Sequence, residues 1–258
     1  MRNVSLYLFN WLTFGATLYF NYLYGSGAAG VKSVGEISNQ YPTLITPAGF
    51  TFSIWGLIYL LLLGYLIYQG WTLLRKSPEK SLLPSGIWFG ISNLLNLAWI
   101  VTWCNEWLYL SAIVIIGLLV SLLVLGHRLQ IGSKNNSISQ YLWIATPIAV
   151  YTGWVTVATL VNVSVLVYDL GILTSGPAVW TLAMLAIASG IYLYLLFKQN
   201  IAQATWVGVW AFSGIAANNW GGETMVAYGA LALALALALA IIVRFFLAKQ
   251  LDKNLETL

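Results

Sequence analysis

The sequence predicts an all-α integral membrane protein of about eight transmembrane helices. Three observations carry this: 60% of residues are apolar and only 7% charged, mean hydropathy is +0.83, and the apolar residues cluster in runs as long as a bilayer crossing. A soluble domain carries ~25% charged residues. At roughly 20 residues per crossing, 258 residues are used up by the spans and leave no room for a separate soluble enzyme domain. The alternating segments of an outer-membrane barrel are absent. The single Cys104 excludes an internal disulfide and a cysteine metal cluster, and the single His127 excludes a multi-histidine metal site.

The runs fall at about 6–23, 48–70, 86–104, 107–126, 141–166, 178–197, 201–219 and 225–247. In the first, Tyr19, Phe20, Asn21 and Tyr22 stand where a signal peptidase requires small residues, so the run reads as a span rather than a cleaved leader. Pro47 and Gly49 mark the entry to the second. The Ala/Leu alternation from Ala230 to Ala240 imitates the period of a strand, but an isolated lipid-facing segment must satisfy its own backbone hydrogen bonds, which makes it a helix.

Charge sets the orientation. With a cytoplasmic N-terminus, Arg2, Arg75, Lys76, Lys80, Arg128, Lys134, Lys198, Arg244, Lys249 and Lys253 lie inside and Lys32 alone outside, out of 11 cations in all. Both termini are therefore expected to be cytoplasmic. The net charge of +4 is an orientation signal and calls for no nucleic-acid partner. Every Lys, Arg, Asp and Glu falls at a helix end or in a loop, which argues against an ion pump and against a retinal Schiff base.

The two halves share a weak pattern. Trp88-Phe89-Gly90, then Trp103 to Glu106, then an apolar run to Arg128 parallels Trp206-Val207-Gly208, Trp220 to Glu223 and the run to Arg244. A four-plus-four tandem duplication produces this. So does the ordinary preference of tryptophan for the interface and of cations for the inner side, and both explanations stay open.

Three helix faces carry the candidate site. Phe52, Trp55 and Tyr59 are three and four residues apart and share a face of the second span. Asn93, Asn96, Trp99 and Trp103 form a stripe on the third, and Tyr151, Trp154, Ala158 and Asn162 one on the fifth. An asparagine in hydrocarbon must find a partner, so the amides should face the bundle interior. Any one of these residues fits plain core packing. Converging rings with a few amides also describe a pocket for a flat, mostly apolar ligand.

At these residues the chain resembles the TspO/translocator protein family, the tryptophan-rich sensory proteins also called peripheral benzodiazepine receptors. Y-x-x-W-x-x-x-A-x-x-x-N, from Tyr151 to Asn162, matches that family's last helix. Pro47 to Tyr59 is similar to its P-x-x-W-x-F-x-x-x-W-x-x-L-Y, with one residue fewer before the tryptophan and Phe50 in a tryptophan place. Asn96 to Trp99 resembles its third-helix N-x-x-W. The family's double proline after that tryptophan is Ile100 and Val101 here, and its early fourth-helix acid is replaced by the uncharged stretch Ser111 to Val114, departures that imply a reshaped pocket.

The resemblance implies a five-helix bundle over residues 1–166, with residues 167–258 forming three additional transmembrane helices and a cytoplasmic tail. It implies a first loop, about residues 24–46, that covers the pocket, and a receptor or sensor that binds a tetrapyrrole such as protoporphyrin or haem, or a sterol-like or carotenoid-like lipid, without a covalent cofactor. The rings of Phe52, Trp55, Tyr59, Trp99, Trp103, Tyr151 and Trp154 would stack on the ligand. Asn93, Asn96 and Asn162 would fix its polar edge, and Ala158 would leave it room. Membrane lipids are expected partners, and a homo-oligomer stays open. A facilitator for a small neutral or amphipathic solute is the competing reading. A third is the tryptophan-assisted photo-oxidation of a porphyrin proposed for the family, although the interior holds no acid–base pair for ordinary catalysis.

Overall fold

The structure, a computed structural model, describes residues 2–28, 30–172 and 176–256, with side chains as far as residue 250. Its described residues form eight long helices and no strand: α1 (Arg2–Gly25), α2 (Ile54–Leu74), α3 (Trp88–Cys104), α4 (Leu108–Arg128), α5 (Thr146–Asp169), α6 (Pro177–Phe197), α7 (Ala202–Asn218) and α8 (Thr224–Glu256). Each coincides with one of the eight apolar runs. Five are long and apolar enough to cross a membrane: α2 with its leading turn, α4, α5 with its leading turns, α6, and α8 as far as Gln250. α3 and α7 have only 17 residues each, and α1 buries Asn10, Thr13 and Thr17 along the face it turns to the bundle.

α3 packs between α1 and α4, α4 packs on α5, α5 on α7, and α7 on α8, while α6 lies against α7 and α8 and α2 leans on α5 and α1. One continuous buried core, from Phe14 to Leu237, runs through all eight helices. Small residues permit the close approaches. A Cβ on Gly153 of α5 would stand 2.8 Å from the Ala204 carbonyl oxygen of α7, so only glycine allows these helices to touch. The Tyr192 hydroxyl of α6 donates to the Gly153 carbonyl at 2.7 Å and joins the third helix to the same point.

Polar contacts sort the helix ends into two groups. At one end Arg128 Nε donates to Pro84 O (2.9 Å), Asn200 Nδ2 to Gly132 O (3.0 Å) and Arg244 Nη2 to Asn200 Oδ1 (3.0 Å). At the other, Lys32 pairs with Glu106 and Asn219 Nδ2 donates to Leu44 O (2.9 Å). The first half of α1 lies toward the former group, where Asn10 Nδ2 donates to Gln69 Oε1 at 3.0 Å. The start of α1 and the Arg244 region of α8 therefore lie at the cation-rich end of the bundle, with Lys32 at the opposite one. The side chain of Lys253, counted among those cations, lies outside the described residues.

Candidate functional site

The 3-10 turn Gly49–Ser53 swings the chain into α2 and sets the position of Phe52, Trp55 and Tyr59. That turn is held from α7. Trp210 Nε1 donates to Thr51 O (3.0 Å), Ala48 N to Gly214 O (3.0 Å), Asn218 Nδ2 to Thr46 O (3.0 Å) and Asn219 Nδ2 to Leu44 O (2.9 Å). Gly214 is required here, because a Cβ would collide with the Thr51 side chain. Thus α7, which lies beyond the three faces that carry the candidate site in the sequence, clamps the entry of α2. The adjacent amides Asn218 and Asn219 at the end of an apolar helix were the available signal for it.

The rings converge, but on one another. Trp55 stacks on Tyr59 (centroids 5.6 Å apart) and on Trp99 (5.8 Å), and Trp99 stacks on Trp103 (6.3 Å). Trp154 meets Phe52 (6.0 Å) and Trp55 (6.2 Å) edge to face, and Tyr151 meets Trp55 in the same way (6.1 Å). These offset and T-shaped contacts follow the ring quadrupoles and rigidify the box. Inside it, Phe52, Trp55, Trp99, Trp103, Trp154, Ala158 and Asn162 line a cavity of about 30 Å³, room for one or two waters. Beside it, across the Phe52–Trp55 wall, a cleft of about 430 Å³ opens between α1 and α2, with Tyr59 on its side.

The remaining three residues bridge helices. Asn93 Nδ2 donates to Thr13 Oγ1 (3.2 Å) and the Asn93 carbonyl accepts from Thr17 Oγ1 (2.8 Å), both on α1. Asn96 donates to the Tyr151 hydroxyl (2.8 Å) and accepts from Asn21 Nδ2 (2.7 Å), so Asn96 and Tyr151 tie α1, α3 and α5 together. Asn93, Asn96 and Tyr151 line neither the cavity nor the cleft.

Three residues of the cavity wall also carry polar atoms without partners. Trp99 Nε1, Trp154 Nε1 and Asn162 Nδ2 are buried and have no hydrogen-bond partner, while Asn162 Oδ1 accepts from Ser111 Oγ at 3.2 Å. All three are donors. A buried donor left unpaired costs ~1–3 kcal/mol, so three around one apolar cavity call for acceptors.

The first loop covers this cavity. Its helix Val34–Gln40 starts with a capping box, in which Ser33 N donates to Glu36 Oε2 (2.7 Å) and Glu36 N to Ser33 Oγ (3.3 Å); the Ser33 N–H, with a lesser contribution from the Ser33 side chain, holds the Glu36 carboxyl below the ordinary carboxylate range. Val34 and Ser38 form part of the cavity wall, and Trp103 Nε1 points at Val34 O (3.5 Å). Glu106, in the α3–α4 turn, fastens both ends of the loop helix: Lys32 Nζ lies 3.0 Å from Oε1, while Gln40 Nε2 (2.8 Å) and the Tyr41 hydroxyl (3.2 Å) donate to Oε2. The Lys32 contact, with the bonds from Gln40 and Tyr41, holds the Glu106 carboxyl below its ordinary range. Burial and the adjacent carboxylate push the Tyr41 phenol up to about 12, so it remains a donor. Cys104 is buried beside Tyr24 O and His127 is exposed in the last turn of α4, and neither lines the cavity.

Apolar helices of membrane-crossing length packed around an aromatic cavity, with no buried Lys, Arg, Asp or Glu among the described residues, define an integral membrane helix-bundle protein. A family model described as TSPO-like protein matches residues 7–243, and the chain belongs to that family. The match includes α6, α7 and α8 as far as residue 243, beyond the reach of the motif resemblance over residues 1–166. No curated protein and no solved structure matches the chain.

Proposed function

We propose that the protein is a membrane receptor or sensor that binds a hydrophobic planar ligand, of tetrapyrrole, sterol-like or carotenoid-like type, in the aromatic box under the first loop. The observation that carries this reading is the set of three buried, unpartnered donors, Trp99 Nε1, Trp154 Nε1 and Asn162 Nδ2, on residues that line an otherwise apolar cavity. A ligand with carbonyl, carboxylate or ether oxygens on one edge answers all three, and its apolar faces answer the rings. The cavity alone is too small for such a molecule, since ligand pockets run to ~300–1,000 Å³. Swinging the Phe52–Trp55 wall would join it to the neighbouring cleft of about 430 Å³, which reaches that range. In this reading all eight helices span the membrane and both termini are cytoplasmic, in keeping with the cations gathered at one end of the bundle. The absorbance spectrum of the freshly purified protein tests it: a retained chromophore with bands shifted from its free form is the expected result, and failure to retain or take up any planar apolar compound counts against it.

A second reading, a facilitator for a small neutral or amphipathic solute, draws support from one equivalence. Arg128 at the end of α4 caps the α2–α3 connection at Pro84, and Arg244, within the second half of α8, contacts the α6–α7 connection at Asn200. Such matched contacts are what a four-plus-four duplication would leave, an arrangement common among transporters. Solute flux across proteoliposomes separates the readings, since a receptor leaves flux at the level of empty liposomes.

A further inference from the structure

The pocket at the cation-rich end belongs to neither the aromatic box nor its cleft. It has a volume of about 940 Å³ and is framed by the α4–α5 and α6–α7 connections and by α8. Two turns docked on each other build its rim: Asn200 Nδ2 donates to Gly132 O at 3.0 Å, and Gly132 lies so close to Gln199 O that a Cβ would collide with it. Gln130 and Asn200 take positive φ of 49° and 58° to shape these turns. The docking brings His127, Lys134, Lys198 and Arg244 around one opening, with no Asp or Glu in its lining. Arg244 is already oriented by Asn200 Oδ1 (3.0 Å). Below the rim the wall turns apolar, with Leu122, Leu123 and Leu195.

We infer that this pocket binds a phosphate-bearing anion, and that the ligand is the headgroup of an anionic phospholipid. The basic rim supplies the phosphate contacts, and the apolar wall beneath it accepts the start of an acyl chain, which a soluble phosphate would leave uncovered. Basic pockets between helices at a membrane surface take anionic headgroups in this manner. The inference stands apart from the aromatic site and does not depend on its ligand.

Lipid retention by the full-length protein, purified in non-ionic detergent with phosphatidylglycerol and phosphatidylcholine and weighed by native mass spectrometry, tests it. The wild type is expected to retain phosphatidylglycerol in preference. Lys134→Gln/Lys198→Gln/Arg244→Gln is expected to reduce that retention roughly tenfold or more, because each cation close to an anionic headgroup contributes severalfold. Arg75→Gln/Lys76→Gln/Lys80→Gln removes the same charge from the same end outside the pocket and is expected to leave retention unchanged. Equal loss in both triple variants, or no preference in the wild type, would overturn the site. Displacement of the lipid by inorganic phosphate would overturn the lipid assignment and give the pocket to a soluble phosphate. A melting temperature matched to wild type in phosphatidylcholine alone verifies that each variant is folded.

Discussion

Glu106 and Lys32, 74 residues apart in the chain, form a 3.0 Å ion pair that closes the first loop over the aromatic cavity. It is the only ion pair among the described residues. The same carboxylate takes Gln40 and Tyr41 on its second oxygen, so one residue holds both ends of the covering helix. Half of the Lys32 side chain is exposed, so the pair itself contributes ~1 kcal/mol or less, and its weight lies in where it acts.

The covering loop should accordingly be acid-sensitive. Because the folded Glu106 pKa is depressed, its contribution is fully present above the ordinary carboxylate range, ~4.3, and is lost as pH falls through the lower folded value. Once corrected for the intrinsic rate, which itself falls in acid, hydrogen exchange of residues 33–41 is expected to be slow at neutral pH and faster in acid. Glu106→Gln should show the fast exchange already at neutral pH, and identical exchange in the two proteins would remove the latch.

The clamp from α7 gives a second expectation. Asn218→Ala/Asn219→Ala removes the donors to Thr46 O and Leu44 O, at ~0.5–1.5 kcal/mol each. Gly214→Val forces bulk against Thr51 and should cost ~1–3 kcal/mol through overpacking. Both variants are expected to lower melting temperature and weaken ligand retention together, although none of these residues lines the cavity.

Ala158→Leu probes the size of the cavity. The added carbons exceed what about 30 Å³ of free space accepts, so the change should cost ~1–3 kcal/mol and also block binding by the folded fraction. A folded variant that binds with wild-type affinity would place the ligand elsewhere.

For orientation, a cysteine placed at position 2 and one at position 250, each in a Cys104→Ser background, should be labelled from the same side of sealed vesicles. A cysteine at Lys32 should be labelled from the other. Opposite labelling of positions 2 and 250 would require an odd number of crossings.

Much of this fold was legible because bilayer crossing imposes long apolar runs, and each of the eight runs became one helix. The rings were legible for the same kind of reason: the spacing of Phe52, Trp55 and Tyr59, and of Trp154, Ala158 and Asn162, fixes a helix face. Helix spacing says nothing about which neighbour that face meets. Asn93 and Asn96 share a stripe with Trp99, yet they turn to α1 and α5 while Trp99 lines the cavity. The latch at Glu106 and the clamp at Asn218 and Asn219 join segments 65 to 175 residues apart, and no local pattern encodes such pairings.

The most direct test of the central claim removes donors of the cavity wall and keeps the wall apolar. Trp154→Phe/Asn162→Leu deletes two of the three orphan donors together with the bond from Ser111 Oγ to Asn162 Oδ1 and part of the buried indole volume, so a modest loss of stability is expected. Tryptophan quenching by protoporphyrin, titrated into wild type and variant, then measures their worth in binding. Saturable quenching by the wild type, weakened roughly tenfold or more in the variant, is the expected result, at ~0.5–1.5 kcal/mol per hydrogen bond. Quenching of equal affinity in the two proteins, with both folded, would contradict a ligand held by these donors.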